Sequence, residues 1–171
     1  MTQRQRVILI LSTFLVQLVA DQATKQWAIA AVKPYPARSY FGDFFRLQYA
    51  ENAGAFLSLG ANLSDSARFW LLTVMVAGIL AFTIFYLFRT AGLTRVQVIC
   101  LAAAVSGGFS NWLDRVFRTE GRVVDFLNVG IGSLRTGIFN IADMAILFGI
   151  GIFLLLNKPE EGSSPDPVDK R

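Results

Sequence analysis

Four apolar stretches, at about residues 7–32, 69–88, 96–113 and 138–156, leave this chain few ways to fold. Each is long enough, at about 1.5 Å per helical residue, to cross roughly 30 Å of hydrocarbon. With 54% hydrophobic and 16% charged residues and a mean hydropathy of +0.49, the chain is too apolar for a soluble domain of 171 residues. The expected class is therefore an all-α membrane protein with four transmembrane helices. The opening "MTQRQRVILILSTFLVQLVA" has the basic start and apolar run of a cleaved signal peptide. Apolar and small residues continue past Asp21 to Val32 without a clear small-x-small cleavage site, so the segment reads as an uncleaved first span.

Four spans return both termini to one side. Arg4 and Arg6 on the short tail, and Arg89 and Arg95 on a tight turn, mark that side as cytoplasmic. Trp27, Trp70 and Trp112 then all fall at the opposite, outer interface. In residues 33–66 the aromatic run from Phe41 to Tyr49, followed by Gly54 and Gly60, reads as short strands on the outer surface. Within the second outer loop, 114–137, "RVVDFLNVGIG" reads as extended. The expected organisation is one membrane domain over 1–156 and a disordered cytoplasmic tail over 157–171, rich in Pro, Ser and charge.

The polar residues inside the spans narrow the chemistry. A net charge of +4 would suggest nucleic acid in a soluble protein. Here the basic residues flank spans, so lipid headgroups are the counter-charge and no nucleic-acid partner is expected. The chain has no histidine, which removes Ser-His-Asp and Cys-His catalysis and His-ligated metals. The lone Cys100 lies in an apolar run and reads as packing. Asp21 lies about 21–22 Å along span one, about 8 Å short of its outer edge. Asn111 has a similar place on span three, with Asp114 and Arg115 at the interface, and Asp143 is about 7–8 Å below the outer edge of span four. Helices of different direction thus bring polar groups to one depth, and Asp125, on the loop joining spans three and four, can reach the same place.

Plainer readings exist. Asp21 and Lys25, spaced i,i+4, could neutralise each other; Asp114 and Arg115 read as an interfacial snorkelling pair; "SGG" at 106–108 reads as close helix packing. Asn140 and Asp143 resist such a reading, because a membrane carboxylate is a functional-site hypothesis by default. Two adjacent aspartates cannot both ionise comfortably, so one keeps a proton while the other activates water. Such a pair can hydrolyse an amide with no metal and no covalent intermediate. Asp125 and Asp143 are the best pair, one on a movable loop and one on a rigid helix.

The blocks "DQATK" (21–25), "NAGAF" (52–56), "SGGFSNWLDR" (106–115), "VVDF" (123–126) and "FNIAD" (139–143) occur in an order and spacing that resembles the bacterial signal peptidase II family. The resemblance implies an inner-membrane aspartic endopeptidase that cuts signal peptides from diacylglyceryl-modified prolipoproteins, before the lipidated cysteine. It implies a catalytic pair of Asp125 and Asp143, and a substrate pocket lined by Asn52, Asn111, Arg115 and Asn140. Asp21, Lys25, Asp114 and Gly54 would give structural support. It also implies a small extracytoplasmic β cradle over 41–60, a flap before Asp125, no metal or other cofactor, and a site near the outer leaflet. Ser110 stands where the family commonly has Gly, and Gly54-Ala55-Phe56-Leu57 departs from the family's Gly-Ala-Ala-Phe. Two other functions are open to the composition. A proton-coupled transporter using Asp21, Asp143 and Lys25 would want broken helices and polar residues at both faces. A metal-dependent lipid phosphotransferase would want several Asp close together on one helix.

Overall fold

In the computed structural model, which describes residues 1–54 and 62–157, helices carry most of the chain and a small antiparallel sheet caps one end. The elements are α1 (Gln3–Ala31), β1 (Arg38–Tyr40), β2 (Phe45–Asn52), α2 (Asp65–Arg89), α3 (Arg95–Phe117), β3 (Val123–Ile131), β4 (Leu134–Arg135) and α4 (Ile141–Leu156). The Ala55–Leu57 departure, Gly60 and the tail beyond Asn157 lie outside the described residues. Among the described residues, three helices are long and apolar enough to cross a membrane; α4, with 16 residues, is apolar but shorter.

Three of the helices start where local chemistry stops the backbone donors from being orphaned. Thr2 with Gln5, Thr94 with Gln97 and Asn140 with Asp143 each form a reciprocal capping box. The last of these delays α4 to Ile141, three residues after the apolar run begins. Within α2, Phe69–Met75 is π-helical. Trp112, on α3, is half-buried. Its indole N–H donates to the Thr73 carbonyl in that π segment, at 3.0 Å, and its ring stacks on Phe109.

Helix α3 is the central element. Its small residues let α4 approach: a Cβ at Gly107 would lie 2.5 Å from the Ala142 carbonyl oxygen, and one at Gly149 would lie 2.5 Å from that of Cys100. Gly107→Ala is expected to cost about 1–3 kcal/mol or more, because the obstacle is backbone and cannot swing away. A fall in melting temperature in detergent measures it. An apolar cluster of Ile10, Leu80, Leu87, Val98, Leu101, Ala102 and Val105 fills one end of the bundle. Ala28, Val32, Val124 and Phe126 seal α1 against the sheet at the other. Between them along α1, Asp21 and Lys25 are both fully buried.

The sheet has order β1-β2-β3-β4, all antiparallel. Asp125 belongs to β3 and is 1% exposed. It is therefore on a paired strand, not on the movable loop the sequence suggested. Between the pairs Leu47↔Leu127 and Ala50↔Asp125, β2 advances three residues while β3 advances two. One extra residue in β2 makes this a bulge. Directly paired residues share a face, and a one-residue slip exchanges the faces. Without the bulge Asn52 would face away from Asp125. With it, Asn52 pairs with Val123 and becomes a diagonal same-face neighbour of Asp125.

Candidate active site

Asp143 is the third residue of α4, so its carboxylate sits at the positive end of a helix dipole. One oxygen, Oδ2, accepts the Asn140 backbone N–H at 3.2 Å, closing the capping box. The other, Oδ1, accepts from Asn111 Nδ2 at 2.9 Å. Asp125 is held in the same manner. Its Oδ1 accepts from Asn140 Nδ2 at 2.7 Å and its Oδ2 from Asn52 Nδ2 at 2.9 Å. Asn140, fully buried, therefore grips both carboxyl groups: its Nδ2 holds Asp125, and its backbone N–H and side-chain Oδ1 cap the turn carrying Asp143. Burial first, and then the charge of Asp143, pushes the Asp125 carboxyl up to about 7, against the pull of the Asn52 and Asn140 amides.

A second polar layer lies beneath. The Lys25 ammonium contacts Asp21 Oδ2 at 2.7 Å, Asp114 Oδ2 at 2.9 Å and Asn111 Oδ1 at 2.8 Å. The i,i+4 pairing of Asp21 and Lys25 is thus present but is only part of a cluster. Asp21 also accepts the Ala142 N–H through Oδ1 and the Ser110 hydroxyl through Oδ2, both at 2.7 Å. Asp114 turns to Lys25 and Arg118, not to Arg115, so the two neighbours are not a snorkelling pair. Arg115 instead donates to the Gly54 carbonyl at 2.7 Å and the Asn111 carbonyl at 3.1 Å. The Gly54 N–H binds Asn52 Oδ1 at 2.8 Å, which leaves the Asn52 amino group for Asp125.

A cleft of about 320 Å³ opens onto both aspartates. Asn52, Asn111 and Arg115 line it on the polar side, and Leu72, Val76, Val123, Ile146 and Leu147 on the apolar side. Asn140 is not at its wall. The apolar wall comes from α2, β3 and α4. A larger cavity of about 620 Å³, between Arg68 and Arg122, shares Arg115 and Leu72 with this cleft but contains neither aspartate. Two contributors escaped the sequence reading: Gln22, which donates to Ser110 Oγ at 2.9 Å and Asp114 Oδ1 at 3.1 Å, and the Ser110 hydroxyl itself. The four-residue spacing of Ser106, Ser110 and Asp114 on α3 was the available signal.

Comparison with known proteins fits this arrangement. The family model described as Signal peptidase (SPase) II matches residues 13–157. A lipoprotein signal peptidase of Treponema denticola is 37% identical over 147 residues, covering 81% of this chain and 84% of the relative. That of Borrelia hermsii is 36% identical, covering 75% and 76%, and that of Xylella fastidiosa 32% identical, covering 92% and 93%. A bacterial membrane enzyme solved by the in meso method at 2.3 Å has the same fold, with a TM-score of 0.71 at 24% identity over 91% of this chain and 94% of that one.

Proposed function

The chain belongs to the signal peptidase II family, and from that premise we propose that Asp125 and Asp143 are the aspartates with which it cleaves prolipoproteins. The family's activity is removal of the signal peptide, by an aspartic peptidase, from a prolipoprotein. The observation that carries the assignment is the shared clamp: Asn140 holds both carboxyl groups, and both line one cleft. Asp125, raised to about 7, enters as the acid. Asp143 enters as the carboxylate and takes a proton from water. The water oxygen attacks the scissile carbonyl carbon while Asp125 protonates the carbonyl oxygen. Asp143 then returns its proton to the departing amine, and Asp125 recovers one from the collapsing diol. The products are a signal-peptide acid and a free amine on the mature chain.

The substrate is a prolipoprotein already carrying diacylglyceryl on the cysteine after the cut. Its acyl chains stay in the bilayer, and the apolar wall of Leu72, Val76, Ile146 and Leu147 suits them. Asn52, Asn111 and Arg115 face the extended peptide. The Nε of Arg115, buried and without an acceptor among the described residues, is available to a peptide carbonyl. The site belongs near the outer leaflet of a bacterial inner membrane, with four spans and both termini cytoplasmic. Arg6 supports that topology, since it donates to the Leu87 carbonyl and so ties the start of α1 to the end of α2.

Purified protein incubated with the diacylglyceryl substrate should give a gel shift. The unmodified precursor should be cut at least about tenfold more slowly, because lipid anchoring supplies part of the positioning of the bond. Equal rates would remove the lipid from the recognition. EDTA should leave the rate unchanged; loss of activity in chelator would point to metal-dependent chemistry.

A further inference from the structure

Lys25 is fully buried, and its neighbours explain why a cation is tolerated there. An ammonium has three hydrogens and no lone pair. Two of them meet the carboxylates of Asp21 and Asp114. With Arg118 on the far oxygen of Asp114, two cations and two anions already balance without any third contact. The third hydrogen goes to Asn111 Oδ1 at 2.8 Å, and that contact has a different consequence. A carboxamide has an accepting end and a donating end. Because Lys25 can only donate, and because Asn140 Nδ2 donates to the same oxygen at 3.1 Å, the oxygen end of Asn111 is fixed toward them. Its amino group is then fixed toward Asp143 Oδ1 at 2.9 Å. A flipped amide would set an oxygen against a carboxylate and an amino group against an ammonium.

We propose that Lys25 is a positioning residue for peptide cleavage, acting through the Asn111 carboxamide to hold the Asp143 carboxylate in its working orientation. The inference rests on the assignment of Asp143 made above. Lys25 does not line the cleft, so it touches no substrate. Without the polarised Asn111 amide, Asp143 keeps one oxygen on the Asn140 N–H and its other oxygen loses a fixed direction.

The test compares Lys25→Met with the charge-balanced Lys25→Met/Asp21→Asn, in which Asp114 keeps Arg118 and the cluster stays neutral if the single variant does not fold. Cleavage of a diacylglyceryl-modified prolipoprotein should show kcat reduced about 10²-fold with KM unchanged, as expected for misplacement of a catalytic group. The same change made in an Asn111→Ala background should cost nothing further in kcat, because the link it breaks is already gone. A raised KM at intact kcat, or an undiminished second loss in the Asn111→Ala background, would overturn the proposal. Failure of the wild-type protein to cut that substrate would instead strike the proposed function.

Discussion

Asp143→Asn and Asp125→Asn are each expected to lower cleavage by at least about 10³-fold while leaving the protein folded and inserted, because each removes one half of a general acid–base pair. Full activity in either variant would sink the assignment. The stability of Asp125→Asn gives a separate signature. The folded carboxyl is raised to about 7, well above an ordinary aspartate. Between those two values the folded state binds a proton that the unfolded state has released. Stability therefore falls as pH rises through this window. An Asn carboxamide is a neutral stand-in for the protonated acid and has no such slope. Asp125→Asn should thus gain on wild type in melting temperature as pH is raised from about 5 to 8. At the acid end it should be level or lower, since its amino group must face one of the two donors, Asn52 or Asn140, that now serve the carboxyl oxygens. Parallel melting curves across that range would show that Asp125 is not held protonated.

Much of this site could be read along the chain because helical rise converts residue counts into depth. Counting along the spans brought Asp21, Asn111 and Asp143 to one level, and the structure joins them through Lys25 and the Ala142 N–H. Depth does not give azimuth, however. That Asp114 turns inward to Lys25 while Arg115 reaches Gly54 depends on which face of α3 meets α1, a packing fact with no local sign. The role of Asn140 was half visible. An Asn three residues before an Asp at the head of an apolar run is a capping pattern, yet it read as a polar intrusion into a membrane helix and, by resemblance, as a pocket residue. Least legible was the reach of Asn52 to Asp125. It depends on a bulge between Leu47 and Ala50, set by pairing with a strand more than 70 residues away. The same pairing converts the supposed movable loop carrying Asp125 into buried strand. The bond from the Trp112 N–H to the π segment of α2 likewise joins residues far apart in sequence.

Asp21→Asn is expected to separate support from chemistry. Asp21 lies on α1, yet its two oxygens serve three elements. Oδ1 accepts the Ala142 N–H in the first turn of α4, and Oδ2 accepts both Lys25 and the Ser110 hydroxyl of α3. All of this is fully buried at Asp21. An Asn can offer only one accepting oxygen, so at least one of those donors must face an amino group. The neutral side chain also leaves the cluster with an excess positive charge shared by Lys25 and Arg118 against Asp114 alone. Breaking a buried pair in this way costs roughly 3–5 kcal/mol. The cost should appear as a clear fall in melting temperature in detergent. Activity should fall less, by about tenfold, because Lys25 still reaches Asn111 and the Asn140 cap still fixes Asp143. The opposite balance marks the catalytic pair, where activity is lost and stability is kept. A variant that melts like wild type but no longer cleaves would place Asp21 in the chemistry and end the assignment of Asp125 and Asp143 as the sole pair.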